Sequence, residues 1–107
     1  MAQTPEGRVK NEIKKYLKSI GAWYFMPVSN GMGQTGIPDI ICCYKGVFVA
    51  IEAKAPGKKG NVTENQKRVL DAIRTANGRA WVCDNSADLP MLFSTLDVTL
   101  KLEKQNA

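Results

Sequence analysis

Three charged side chains stand in stretches that are otherwise apolar. Asp39 is near the head of the run IPDIICCY (37–44), and Glu52 and Lys54 close the run VFVAIEAK (47–54). Residues two apart on an extended strand share a face, so Glu52 and Lys54 project together. Taking such groups out of water without partners costs on the order of several kcal/mol each. A Glu52–Lys54 salt bridge, with Asp39 capping the turn after Ile37-Pro38, would account for any one of them alone. Taken together, two carboxylates converging beside a lysine describe a cation site. Mg²⁺ and Mn²⁺ prefer carboxylate, carbonyl and water oxygens, and Asp39, Glu52 and the backbone carbonyl of Ala53 would supply them. Such an ion would activate a water and neutralise charge on a phosphate. Lys54 would orient or deprotonate that water, or hold a phosphate oxygen as charge builds. The chemistry within reach of this set is hydrolysis of a phosphodiester bond.

The elements that must position these residues follow from apolar periodicity. Val9, Ile13, Tyr16, Leu17 and Ile20 form one helical stripe from Arg8 onward, with Lys10, Lys14, Lys15 and Lys18 on the other side and Gly21 as the stop. Those lysines fit a solvated face and a nucleic-acid-facing one equally. Residues 22–28 read as a first strand, whose far end Pro27 marks as an edge or terminus. The stretch 29–36 carries three glycines and is a loop, and no Gly-Lys-Ser/Thr follows it to make a phosphate-binding loop. Residues 37–44 and 47–54 form two strands joined by a tight turn at Lys45-Gly46. Their nearly continuous apolar character predicts a sheet covered on both faces. Thr63-Glu64-Asn65-Gln66 is a capping box, and it opens a second amphipathic helix ending near Asn77-Gly78. Residues 79–84 form a fourth strand, Pro90 opens a short helix to about Leu96, and residues 97–107 read as a weakly alternating, polar tail. The order α-β-β-β-α-β-α, a hairpin followed by a helical crossover, implies an α/β fold with a mixed sheet flanked by helices.

Bulk properties narrow the classes. At 107 residues the chain fits one domain, 1–107, with a core over about 8–96 and a tail over 97–107. The net charge of +5 favours a polyanionic partner. Cys42, Cys43 and Cys83 are odd in number and spaced for neither a disulfide framework nor zinc, and there is no His. They read as small apolar residues in a reducing, intracellular setting. No apolar run reaches the ~18 residues of a membrane span.

Ile37-Pro38-Asp39 followed by Ile51-Glu52-Ala53-Lys54 resembles the PD-(D/E)XK nuclease superfamily. The small size resembles its VRR-NUC subgroup, relatives of Holliday junction resolvases. In that subgroup the order is an acidic residue in the first helix, a Gly-x-Pro-Asp strand, a Glu-x-Lys strand and a Gln in the next helix. Here these are Glu12, Gly36-Ile37-Pro38-Asp39, Glu52-Ala53-Lys54 and Gln66, and the resemblance spans about residues 8–85. It implies a restriction-endonuclease-like α-β-β-β-α-β core and a Mg²⁺- or Mn²⁺-dependent endodeoxyribonuclease. Asp39 and Glu52 would be metal ligands, Lys54 the catalytic lysine, Glu12 a ligand directly or through water, and Gln66 a residue shaping the site. Glu12 reads equally as a surface helix residue, and Gln66 is already explained by the capping box.

If the strand ends converge, the loop holding Ser29 and Asn30 and the loop holding Lys58 and Lys59 flank the site as candidates for DNA backbone contact. Trp23, Tyr24 and Trp81 read as core or interface residues. No helix-turn-helix or zinc finger is present, so the resemblance favours a structure-selective enzyme on branched DNA. A homodimer matches the twofold symmetry of a four-way (Holliday) junction. Stand-alone members of the subgroup are frequent in phages and prophages, so such an origin is an expectation too. The alternative is a DNA-binding or assembly domain that keeps the fold without turnover.

Overall fold

The computed structural model describes residues 3–28 and 35–106. Helix α1 spans Pro5–Ser19, earlier than the apolar stripe predicts. Thr4 is the reason: its hydroxyl accepts from the Gly7 amide at 3.0 Å, and Pro5 fills the first helical position, where no amide is needed. Val9, Ile13 and Leu17 are its buried stripe.

Four strands follow the sequence order of their pairing: β1 (Trp23–Phe25), β2 (Ile40–Tyr44), β3 (Val47–Ala53) and β4 (Arg79–Cys83). Strands β1, β2 and β3 are antiparallel neighbours, and β4 joins β3 in parallel. The β2–β3 hairpin closes on Lys45 and Gly46, both with positive φ, which is the backbone of a two-residue turn matched to strand twist. Helix α2 (Glu64–Thr75) makes the crossover to β4, opened by the Thr63/Gln66 capping box. A short 3₁₀ turn, Ser86–Asp88, leads into α3 (Leu89–Gln105). The sheet is therefore mixed and flanked by helices, as expected.

The pleat sorts side chains onto two faces. On one, Ile40, Cys42, Val49, Ile51 and Cys83 pack with Val9, Ile13 and Leu17 of α1 and with Leu89, Phe93 and Leu96 of α3. On the other, Ala50 and Ala80 pack with Leu70 and Ile73 of α2. Adjacent Cys42 and Cys43 face opposite sides, one buried and one exposed. Trp81 meets Phe93 edge-on at 5.0 Å within the first core, and Tyr24 packs against it. Trp23 instead stays 65% exposed. A single helix covers the second face incompletely. An open apolar groove of about 650 Å³ remains, bordered by Phe25, Ile37, Phe48, Val69 and Ile73. Full coverage of both faces holds for Val49–Ala53 of β3 and not for Phe48 or the β1 side.

Two element lengths differ from the sequence expectation. β1 is three residues rather than seven, since Pro27 has no amide to donate to the ladder. α3 runs on to Gln105, where a short helix and a tail are expected. Nothing between Pro90 and Gln105 breaks a helix, and Asp97 anchors its middle by accepting from Tyr44 Oη and Lys45 Nζ, each at 2.9 Å.

Candidate active site

The antiparallel hairpin brings the head of β2 beside the end of β3, and the parallel β4 ends there too. Asp39, Glu52 and Lys54 therefore meet at one end of the sheet. Asp39 Oδ2 accepts from the Ala53 amide at 2.9 Å, so this carboxylate takes over pairing where the β2–β3 ladder stops. In an extended strand the N–H and C=O of one residue lie on the same edge. The Lys54 amide pairs on the other edge, with the Cys83 carbonyl at 3.0 Å. The backbone of Ala53 thus faces the Asp39 side.

Glu52 is the buried charge among the core residues, 4% exposed. Its Oε2 accepts from Gln66 Nε2 at 2.9 Å and lies 3.4 Å from Lys54 Nζ. Its Oε1 is buried with no hydrogen-bond partner among the described residues. Burial first, and then the negative charge of Asp39 beside it, push the Glu52 carboxyl up to about 7 against the opposing charge of Lys54. Lys54 does not escape to solvent: its side chain is 11% exposed, and Nζ donates to Gln66 Oε1 at 3.1 Å.

Gln66 joins these groups. One amide oxygen accepts from Lys54 Nζ and, at 3.0 Å, from the Thr63 amide of the capping box. The amide nitrogen donates to Glu52. Two donors on one side and a carboxylate on the other admit only this orientation of the amide. The capping and site explanations of Gln66 are both true of one side chain. Gly36 sets the spacing between the two elements: with φ +81, a Cβ here would meet the Asn65 carbonyl oxygen at 2.7 Å. The backbone leading to Asp39 therefore lies directly on the first turn of α2.

The remaining sequence candidates fall elsewhere. Glu12 accepts from Ser86 Oγ at 3.0 Å and borders a shallow depression with Arg8, Pro56 and Asp84, outside the hydrogen bonds around Glu52. Lys58 and Lys59 are exposed on the loop after β3, which Asp84 ties down by accepting from the Gly57 amide at 3.1 Å. Ser29 and Asn30 lie outside the described residues. Sequence reasoning missed Lys10 at this site: its Nζ lies 3.4 Å from Asp39 Oδ1 and 3.6 Å from Glu6 Oε2. A lysine read as one of four on the polar side of a helix carries no signal of which neighbour it will meet.

The residues fit a hard divalent cation. Among the described residues no cluster of three His, Cys, Asp or Glu side chains forms a closed ligand cage. Mg²⁺ needs none, because it keeps several waters and takes one or two carboxylates. An orphaned, buried carboxylate oxygen beside a second carboxylate is the kind of acceptor such an ion satisfies.

A family model for the VRR-NUC domain matches residues 9–87. The chain belongs to the VRR-NUC domain family. That domain falls within the PD-(D/E)XK nuclease-like superfamily, whose function is nuclease-type DNA processing and whose members typically use divalent metals. A solved structure titled VRR_NUC domain shares the fold, with a TM-score of 0.69 at 22% identity, covering 86% of this chain and 97% of that one. Among curated proteins, none matched the sequence. Among the described residues no helix is long and apolar enough to cross a membrane.

Proposed function

We propose that this VRR-NUC domain is a Mg²⁺- or Mn²⁺-dependent, structure-selective DNA endonuclease that hydrolyses phosphodiester bonds in four-way junctions or other branched DNA. The observation that carries this reading is the buried Glu52 carboxylate, with one oxygen fixed by Gln66 and Lys54 and the other left bare beside Asp39.

Asp39, Glu52 and the Ala53 carbonyl would hold the ion, with Glu12, turned to Ser86, entering through water. When bound, the ion would supply charge neutralisation on the scissile phosphate and a more acidic water nucleophile. Lys54 has three N–H donors. Gln66 Oε1 and Glu52 Oε2 engage two directions of its ammonium, leaving the third to hold the phosphate oxygen on which charge builds, or to aim the attacking water. Because Gln66 and Glu52 fix its position beforehand, little reorganisation is needed at the moment of reaction. Exposed Lys58 and Lys59 would take the DNA backbone without reading its sequence, and Ser29 and Asn30 are proposed for the same contact from the sequence alone. A homodimer would present two such sites to the two halves of a junction.

The test uses labelled four-way junction and linear duplex with Mg²⁺, Mn²⁺ or EDTA. Metal-dependent cutting, greater on the junction and lost in Asp39→Ala and Lys54→Ala, supports the proposal. Binding without cutting indicates instead a DNA-binding module that retains the fold, and neither binding nor cutting rejects both readings.

A further inference from the structure

Two ammonium groups flank the carboxylate pair, and they are held differently. Lys54 is 11% exposed and locked between Gln66 and Glu52. Lys10 comes from a different element, α1, is 28% exposed, and reaches Asp39 only through the oxygen that the Ala53 amide leaves free. Its other partner is Glu6, one turn back on the same helix. A dication seated on Asp39 and Glu52 already balances their two negative charges, so each lysine that stays adds an unbalanced positive charge. The one that can leave at low cost is Lys10, since its side chain is 28% exposed and its i,i+4 pair with Glu6 is a weak, solvent-screened one.

We propose that Lys10 is a displaceable counterion, a positioning residue that neutralises Asp39 when no metal is bound, gives up Asp39 to the divalent cation, and then delivers its charge to the DNA backbone. This rests on the metal-dependent reading above. It makes metal and DNA binding mutually favourable, because the metal frees Lys10 for the phosphates and DNA that holds Lys10 keeps it off Asp39. The free ammonium emerges beside the carboxylates, where a phosphate lying on the site would meet it.

The experiment measures Mn²⁺ affinity of the free protein by calorimetry for wild type, Lys10→Gln and Lys10→Arg, with circular dichroism confirming the fold. In wild type the metal must first part unit charges 3.4 Å apart, Lys10 Nζ and Asp39 Oδ1, and in a water-like dielectric the absence of that cost predicts roughly tenfold tighter Mn²⁺ binding in Lys10→Gln. Lys10→Arg stays near wild type. A lysine that merely braced Asp39 would leave the affinity unchanged or weaken it on removal. Duplex binding against salt gives the second readout. In Mn²⁺ the log–log slope falls by about one in Lys10→Gln, and in EDTA the two proteins have equal slopes. If wild type binds Mn²⁺ but Lys10→Gln is no tighter, or the slopes in Mn²⁺ coincide, the counterion role is wrong while the nuclease reading survives. If wild type binds no Mn²⁺, both fall together.

Discussion

Gln66 Nε2 donates to Glu52 Oε2 at 2.9 Å while its own oxygen accepts from the amide of Thr63, so the cap of α2 and the buried carboxylate of β3 are held by one side chain. The two duties are separable by substitution. Gln66→Glu keeps a residue suited to the third position of a capping box but turns a donor toward Glu52 into a second anion. Cutting should fall by about 10–100-fold, the cost typical of losing a partner that orients a metal ligand. The metal-bound melting temperature should change far less than in Gln66→Ala, which leaves the Thr63 amide without its side-chain acceptor. Equal loss of activity and stability in both variants would show that the cap alone matters.

The Glu52 carboxyl gives the protein without metal a distinctive pH dependence. Its pKa in the fold, about 7, is raised above the ordinary 4.5, by burial first and then by Asp39. The native state therefore binds more protons than the unfolded chain between those values, and stability falls as pH rises through that window. In EDTA the melting temperature should decline from about pH 5 to about pH 7 and level off above. Glu52→Gln should flatten that decline, since its amide donates to Asp39 without titrating. Mn²⁺ competes with the same proton, so its affinity should climb over the same range. A melting temperature in EDTA that rises from pH 5 to pH 7 in wild type, relative to Glu52→Gln, contradicts the assignment.

Much of this site was legible in the sequence because charge in an apolar strand is conspicuous. Asp39, Glu52 and Lys54 stood out for that reason, and the turn at Lys45-Gly46 fixed their convergence. What stayed hidden depended on packing. The rotation of α1 about its axis, set by how Val9, Ile13 and Leu17 seat on the sheet, decides that Lys10 meets Asp39 and that Glu12 meets Ser86. The length of α3 was obscured by a period: Val98, Leu100 and Leu102 alternate like a strand, whereas Leu89, Phe93, Leu96 and Leu100 keep the helical spacing that the core uses. The start of α1 was visible in Thr4-Pro5 as a cap and first position, but only to a reader not waiting for apolar residues.

Gly36 gives a test of how the loop before Asp39 is tied to α2. Gly36→Ala adds a Cβ that meets the Asn65 carbonyl at 2.7 Å, in a backbone conformation that L-residues rarely adopt. We expect a loss of about 1–3 kcal/mol in chemical denaturation, and a larger proportional loss of Mn²⁺ affinity than of folded population, since the clash sits between the elements carrying Asp39 and Gln66. Retention of both in Gly36→Ala would mean that the loop is free to move off the helix.

The cysteines should divide by face. Cys42 is buried, and burial, then its neighbour Cys43, pushes its thiol up to about 12. Burial likewise raises Cys83. The thiolate is the reactive form, so brief iodoacetamide treatment of the native protein at neutral pH should add one label, at exposed Cys43, and three after denaturation. Native labelling of Cys42 or Cys83, read by mass spectrometry of peptides, would show that the first core opens readily.

Apart from Glu12, the groups proposed for bond cleavage come from one uninterrupted stretch, Asp39 to Gln66, spanning a hairpin, a loop and the first turn of a helix. Lys10 belongs to a different segment near the amino end. In hereditary terms, a single recombination between genes could move this segment intact, while the lysine proposed to guard the metal stays behind. Two descendants with identical carboxylates could then differ in how much free metal they need before they engage DNA.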